Sequence, residues 1–114
     1  MDTRPAILLA ASDAADTIDR EFRARYDRDY RIELLPDAAT TLARLVELQG
    51  EGVAIAMLGA ARHLPDSTGL ELLRATQRIA PAARRVSLLA PGEYVDAIEE
   101  MRAAMLQRDI DTFV

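Results

Sequence analysis

At 114 residues the chain is one domain, large enough for a single core and too short for two. Half of it is hydrophobic, it has no cysteine, and its 14 basic residues are all arginine. Disorder, disulfides, thiolate redox chemistry, Cys-ligated zinc or iron–sulfur centres, a Schiff base and a P-loop lysine are thereby excluded. A net charge of -5 with mixed signs and no basic run argues against a nucleic-acid ligand, and no apolar run reaches membrane-spanning length. Asp13 and Asp16 interrupt the apolar opening, so no signal peptide is read, and a cytoplasmic location is expected.

Residues 6–11 (Ala-Ile-Leu-Leu-Ala-Ala) form an apolar run after Pro5 that suits a central parallel strand. Ser12 or Asp13 then reads as a helix N-cap. Ala15, Ile18, Phe22 and Tyr26 make the stripe of a first helix over 14–26. Residues 30–35 alternate, with Tyr30, Ile32 and Leu34 against Arg31 and Glu33, as in an edge strand. Pro36-Asp37 opens a second helix carried by Ala39, Leu42, Leu45, Val46 and Leu48, and Gln49-Gly50-Glu51-Gly52 ends it. Residues 53–58 are a second buried strand, followed by a loop over 59–69 and a third helix over 70–79 that Ala80-Pro81 terminates. Residues 85–90 read as a fourth strand and Pro91-Gly92-Glu93 as a turn. Residues 94–107 read as a fourth helix, striped by Tyr94, Val95, Ile98, Met101 and Met105. Residues 110–114 read as a fifth strand.

Strand and helix alternate with short connections. The expected fold is α/β: a doubly wound, parallel five-stranded sheet with order 2-1-3-4-5 and flavodoxin-like topology. The final helix of such a fold is missing. Residues 1–114 are therefore expected to be the N-terminal part of a larger protein, with an obligate dimer as the rival explanation.

The element order and the loop Pro65-Asp66-Ser67-Thr68-Gly69 resemble the receiver domains of bacterial response regulators. Arg4-Pro5-Ala6-Ile7-Leu8, Phe22-Arg23-Ala24-Arg25-Tyr26, Gly52-Val53-Ala54-Ile55-Ala56 and Pro81-Ala82-Ala83-Arg84-Arg85-Val86 look like one branch of them, the receiver-like domains fused ahead of thioredoxin-reductase-like flavoproteins. The resemblance implies an acidic pair after the first strand to hold Mg²⁺, a phosphoacceptor aspartate ending the third strand, Ser or Thr ending the fourth, and a lysine after the fifth. This chain places Ala11 and Ser12 at the pair, with Asp13 just beyond. Gly59 or Ala61 stands at the acceptor and Leu89 or Ala90 at the hydroxyl position, with Ser87 two residues early.

Phosphoryl transfer to a carboxylate needs an in-line nucleophile, a metal clamp and a cation or donor for the developing charge. Mg²⁺ takes oxygen ligands, usually with one or two carboxylates among them. Asp13 and Asp66 are the only carboxylates expected near the strand ends, and each is as readily a helix cap or turn residue. Arg62, His63 and Asp66 are candidate contacts for a small anion or nucleotide, although a solvated loop explains them equally. No GxGxxG or GxxxxGK[ST] motif supports a nucleotide fold. In receivers the fourth helix and fifth strand form the usual partner face, so Tyr94, Ile98, Met101 and Met105 are candidates for an interface as well as for the core. The expected function is a non-enzymatic, non-phosphorylatable regulatory or protein-interaction domain without cofactor or metal, with a protein partner or a second copy. If the branch resemblance holds, that partner is a flavin-dependent reductase. A ligand-responsive switch and a flavodoxin-like, flavin-associated role are the rival readings.

Overall fold

The computed structural model describes residues 2–90 and 92–114. The elements run β1 (Ala6–Ala10), α1 (Ala15–Tyr26), β2 (Arg31–Leu35), α2 (Ala38–Gly50), β3 (Ile55–Ala61), α3 (Gly69–Ile79), β4 (Arg84–Leu88), α4 (Tyr94–Leu106) and β5 (Thr112–Phe113). All pairings are parallel and the sheet order is β2-β1-β3-β4-β5, as expected from the alternation. The turn expected over Pro91-Gly92-Glu93 has its first residue outside the described residues; Gly92 adopts φ +90.

Two apolar layers cover the sheet's two faces. One side joins Leu8, Leu58 and Ala60 to Leu45 and Leu48 of α2, Leu72 and Leu73 of α3, and Ala97, Met101 and Ala104 of α4. Full burial of each such Leu or Met contributes roughly 1.5–3 kcal/mol. The other side joins Ile7, Leu9, Ile32, Val86 and Leu88 to Ile18 and Phe22 of α1. No residue of α1 is fully buried, so this layer is the thinner one.

Several local expectations are corrected. Neither Ser12 nor Asp13 caps α1; Ala14 occupies the N-cap at φ 56 and no side chain caps the helix. Strand β3 continues through Gly59 and Ala60 to Ala61, so the loop begins three residues later than the apolar run suggested. Strand β4 stops at Leu88, short of Ala90. In α2, Ala38 and Thr41 are buried while Ala39 and Val46 are exposed. In α4 the inward stripe is Ala97, Met101 and Ala104, and Tyr94, Val95 and Met105 are exposed.

The sheet has two edges, β2 and β5. At β2, Arg23 Nη2 of α1 donates to the Ile32 carbonyl on the strand's free side at 2.9 Å. Arg44 brackets Glu33 of the same strand through Nε at 2.6 Å and Nη2 at 3.0 Å. At β5, Val114 N–H donates to Ser87 O at 3.0 Å and Ser87 pairs with Phe113. Phe113 therefore turns its own N–H and C=O outward, because alternate residues of a parallel strand face opposite neighbours.

Candidate functional site

Parallel α/β sheets bind ligands outside the carboxyl ends of their strands. Here β1 pairs Ala10 with Ala60 of β3, and β3 pairs Ala61 with Leu88 of β4. Ala61 is thus the last residue of the central strand, while Gly59 lies inside it. A Cβ built on Gly59 would meet Leu9 Cδ2 at 3.2 Å and Leu88 Cδ1 at 3.3 Å. Beyond β1, Ala11 is buried and Ser12 and Asp13 are exposed. Beyond β4, Leu89 is half-buried and its N–H donates to Val114 O at 2.7 Å. Ser87 is buried within β4 opposite Ala60. Among the described residues no group of three or more His, Asp or Glu side chains stands close enough to hold a metal ion. The residues present do not fit Mg²⁺.

The loop after β3 is held by its own chemistry. His63 and Thr68 form an antiparallel bridge, and Leu64 N–H donates to Ser67 O at 3.0 Å. Thr68 Oγ1 accepts from Glu71 N at 3.2 Å and caps α3, while Ser67 Oγ donates to Glu71 Oε2 at 2.8 Å. Gly69 is required by close approach: a Cβ there would lie 2.2 Å from Ala61 O. Asp66 reaches across to a different helix. Its Oδ1 accepts from Ala38 N and its Oδ2 from Ala39 N, both at 2.9 Å, at the start of α2. Those two backbone donors hold the Asp66 carboxyl below its usual pKa. The helix's own cap is Asp37, which accepts from Thr40 N at 2.7 Å. Both Asp66 oxygens are therefore engaged within the fold.

Arg62 follows Ala61 and points toward α4. Its Nη2 lies 3.4 Å from Glu100 Oε2 and its Nη1 lies 3.9 Å from Glu93 Oε2, while its buried Nε has no hydrogen-bond partner. His63 is largely exposed, with Nε2 at 3.9 Å from Glu93 Oε2. Of the three candidate ligand contacts, Arg62 and His63 meet at Glu93, and Asp66 turns away to α2. The link from Arg62 to α4 was missed in the sequence, because a separation of 38 residues leaves no local signal.

On α4 the four candidate interface residues divide. Met101 is 0% exposed and belongs to the core, so it is not available to a partner. Ile98 is half-buried, and Tyr94 and Met105 are exposed. Val95 and Leu106 extend the outward surface, at 80% and 86% exposed. The Tyr94 ring packs on Phe113 of β5 with centroids 5.9 Å apart, so the apolar surface continues from helix to edge strand.

Solved structures with this arrangement of strands and helices include receiver domains of response regulators. The signal receiver domain of an HD domain-containing protein from Pseudomonas fluorescens is 22% identical, with a TM-score of 0.71 over 100% of this chain and 76% of that one. A response regulator from Thermotoga maritima in complex with Mg²⁺–BeF is 15% identical, with a TM-score of 0.65 over 96% of this chain and 84% of that one. The fold is that of a receiver domain. An uncharacterized protein from Neptuniibacter caesariensis superposes with a TM-score of 0.76 at 15% identity, over 99% of this chain and 77% of that one. No family model and no curated protein matches the sequence. The receiver fold is thus present with alanine at the end of its central strand and without a carboxylate cluster among the described residues. No described helix is long and apolar enough to cross a membrane.

Proposed function

We propose that this domain is a receiver-like signalling module that works by protein–protein recognition and does not accept a phosphoryl group. The observation carrying this reading is the strand end itself: Ala61 has no nucleophile, and Ala11, Ser12 and Asp13 supply at most one carboxylate beside it. In-line transfer without an acceptor or a metal clamp has no route. Recognition would use the α4–β5 side, where Tyr94, Val95, Ile98, Met105 and Leu106 flank Phe113. Aromatic and Met side chains in such a patch, with Glu99, Glu100 and Arg102 at its rim, have the composition of an interface. The partner is a second copy of this domain or a protein attached beyond residue 114, in a cytoplasmic setting. A flavin-dependent reductase in that role rests on the sequence resemblance of residues 4–8, 22–26 and 52–56.

The test is incubation with acetyl phosphate and Mg²⁺ followed by intact-mass measurement. No mass gain is expected, and the gain of one phosphoryl group overturns the reading. NMR titration with Mg²⁺ and beryllofluoride addresses the alternative, a ligand-responsive switch. Shifts localised to residues 59–69 would favour it, although Asp66 is already occupied by the α2 backbone. A visible spectrum of the purified protein tests for bound flavin; none is expected.

A further inference from the structure

Helix α4 is tied to the rest of the fold unequally at its two ends. Its sheet-facing residues are Ala97, Met101 and Ala104. Small side chains interlock weakly with their neighbours, so polar ties decide how the helix is set on the sheet. At the C-terminal end those ties are short. Arg108 N–H donates to Met105 O at 3.0 Å and Asp109 N–H to Ala104 O at 2.9 Å, with Arg108 at φ 63, which closes the helix with a left-handed residue. Buried Arg85 of β4 donates from Nη2 to Arg108 O at 2.9 Å and from Nε to Asp109 O at 3.1 Å. Arg74 of α3 holds the Asp109 carboxylate at 3.0 Å.

At the N-terminal end no side chain caps the helix, and Gly92 before it adopts φ +90. The tie there is Arg62. Its backbone is fixed, because Ala61 pairs with Leu88 and Gly69 N–H donates to the Arg62 carbonyl at 3.0 Å. Its guanidinium spans Glu100 at 3.4 Å and Glu93 at 3.9 Å. Seven residues separate these two carboxylates, so they stand on one flank of α4, two turns apart. Tyr94 lies on the other flank, where its ring packs on Phe113. The buried Arg62 Nε has no partner among the described residues. An unmet buried donor is unfavourable, so reach to the two carboxylates, and not full hydrogen bonding, holds the guanidinium in place.

We infer that Arg62 is the positioning residue of the recognition surface: it sets the tilt of the N-terminal half of α4, and without it that half pivots about the end held by Arg85. The inference rests on the reading that this surface is the one a partner meets, and it names the residue that governs the surface's shape. Tyr94 and Val95 lie on the half that Arg62 holds, and Met105 and Leu106 on the half that Arg85 holds. A pivot lifts Tyr94 from Phe113 and parts the helical portion of the patch from its edge-strand portion, while Met105 and Leu106 stay in place. A lysine at this position reaches one carboxylate and not both, since its ammonium is a single point of charge.

The test is amide hydrogen exchange by NMR on the 114-residue chain. In Arg62→Gln, exchange at Ala97, Ile98 and Glu100 is expected to quicken about fivefold, while Ala104, Met105 and Leu106 keep their rates. Arg62→Lys is expected to fall between the two proteins. The Tyr94 ring-proton shifts of Arg62→Gln are expected to move toward those of a Phe113→Leu variant. In about 1 M NaCl, which screens charges beyond about 3 Å, the same amides of the unaltered chain are expected to quicken and those of Arg62→Gln to change little. Glu100→Gln is expected to reproduce part of the effect, and its combination with Arg62→Gln to give less than the product of the two. The inference is overturned if both halves of α4 quicken together, if only the C-terminal half does, if neither responds, or if the two substitutions multiply. Should Arg62→Gln not fold, the salt series and Glu100→Gln decide between the same outcomes. Neither a partner nor acetyl phosphate enters the measurement, so the inference can fail while the recognition reading stands, and failure of that reading leaves the exchange result unchanged.

Discussion

At the scale of single residues, Asp66 and Gly69 explain why the loop after β3 keeps its shape. Asp66 ties that loop to the start of α2 through Ala38 N and Ala39 N. Its folded pKa is depressed, so its stabilising contribution is complete at neutral pH, above the ordinary carboxylate value. It is lost as pH falls through the folded value. Asp66→Asn is expected to lower the melting temperature at pH 7 and to flatten its decline on acidification, measured by circular dichroism at a series of pH values. Gly69→Ala drives a methyl into Ala61 O and is expected to cost about 1–3 kcal/mol in urea unfolding, as overpacking does. Ala61→Asp restores a nucleophile without its metal ligands, so intact mass after acetyl phosphate is expected to stay unchanged. The sequence left Gly59 and Ala61 as alternatives because counting back from Pro65 and forward from Val53 disagree by two residues. Pairing of Ala61 with Leu88 shows that the strand runs on past Gly59, and that contact lies 27 residues away along the chain.

At the scale of elements, α4 shows where periodicity misleads. Tyr94, Val95, Ile98, Met101 and Met105 form the helical stripe by side-chain size, yet the residues nearest the sheet are Ala97, Met101 and Ala104. Small side chains let a helix approach closely, so the largest residues flank the contact instead of filling it. A pattern of apolar letters records an apolar arc and not which half of it is covered. The same displacement occurs in α2, where Thr41 is buried and Val46 is 56% exposed. Met101→Ala is expected to cost about 2–5 kcal/mol in chemical denaturation, because it opens a cavity in the core. The double change Val95→Glu and Leu106→Glu should leave the melting temperature within a few degrees of its original value. It should also convert a form associated through the α4 surface to monomer in size-exclusion chromatography with light scattering.

At the scale of the whole molecule, the strand order was legible because burial, alternation and short connections admit few topologies. The uneven covering of the two faces was legible only in part, since the alternation of elements fixes which helices share a face and not how thinly α1 covers its own. The strand borders also differ in a way that bears on assembly. One border is stoppered, with Arg23 seated on the Ile32 carbonyl and Arg44 clasping Glu33. The opposite border leaves the peptide groups of Phe113 free. Lateral accretion through backbone pairing is thus hindered at one border, at the Ile32 carbonyl, and open at the other. Copies that meet at the open border would pair edge to edge, so crowding should favour closed pairs over fibrils.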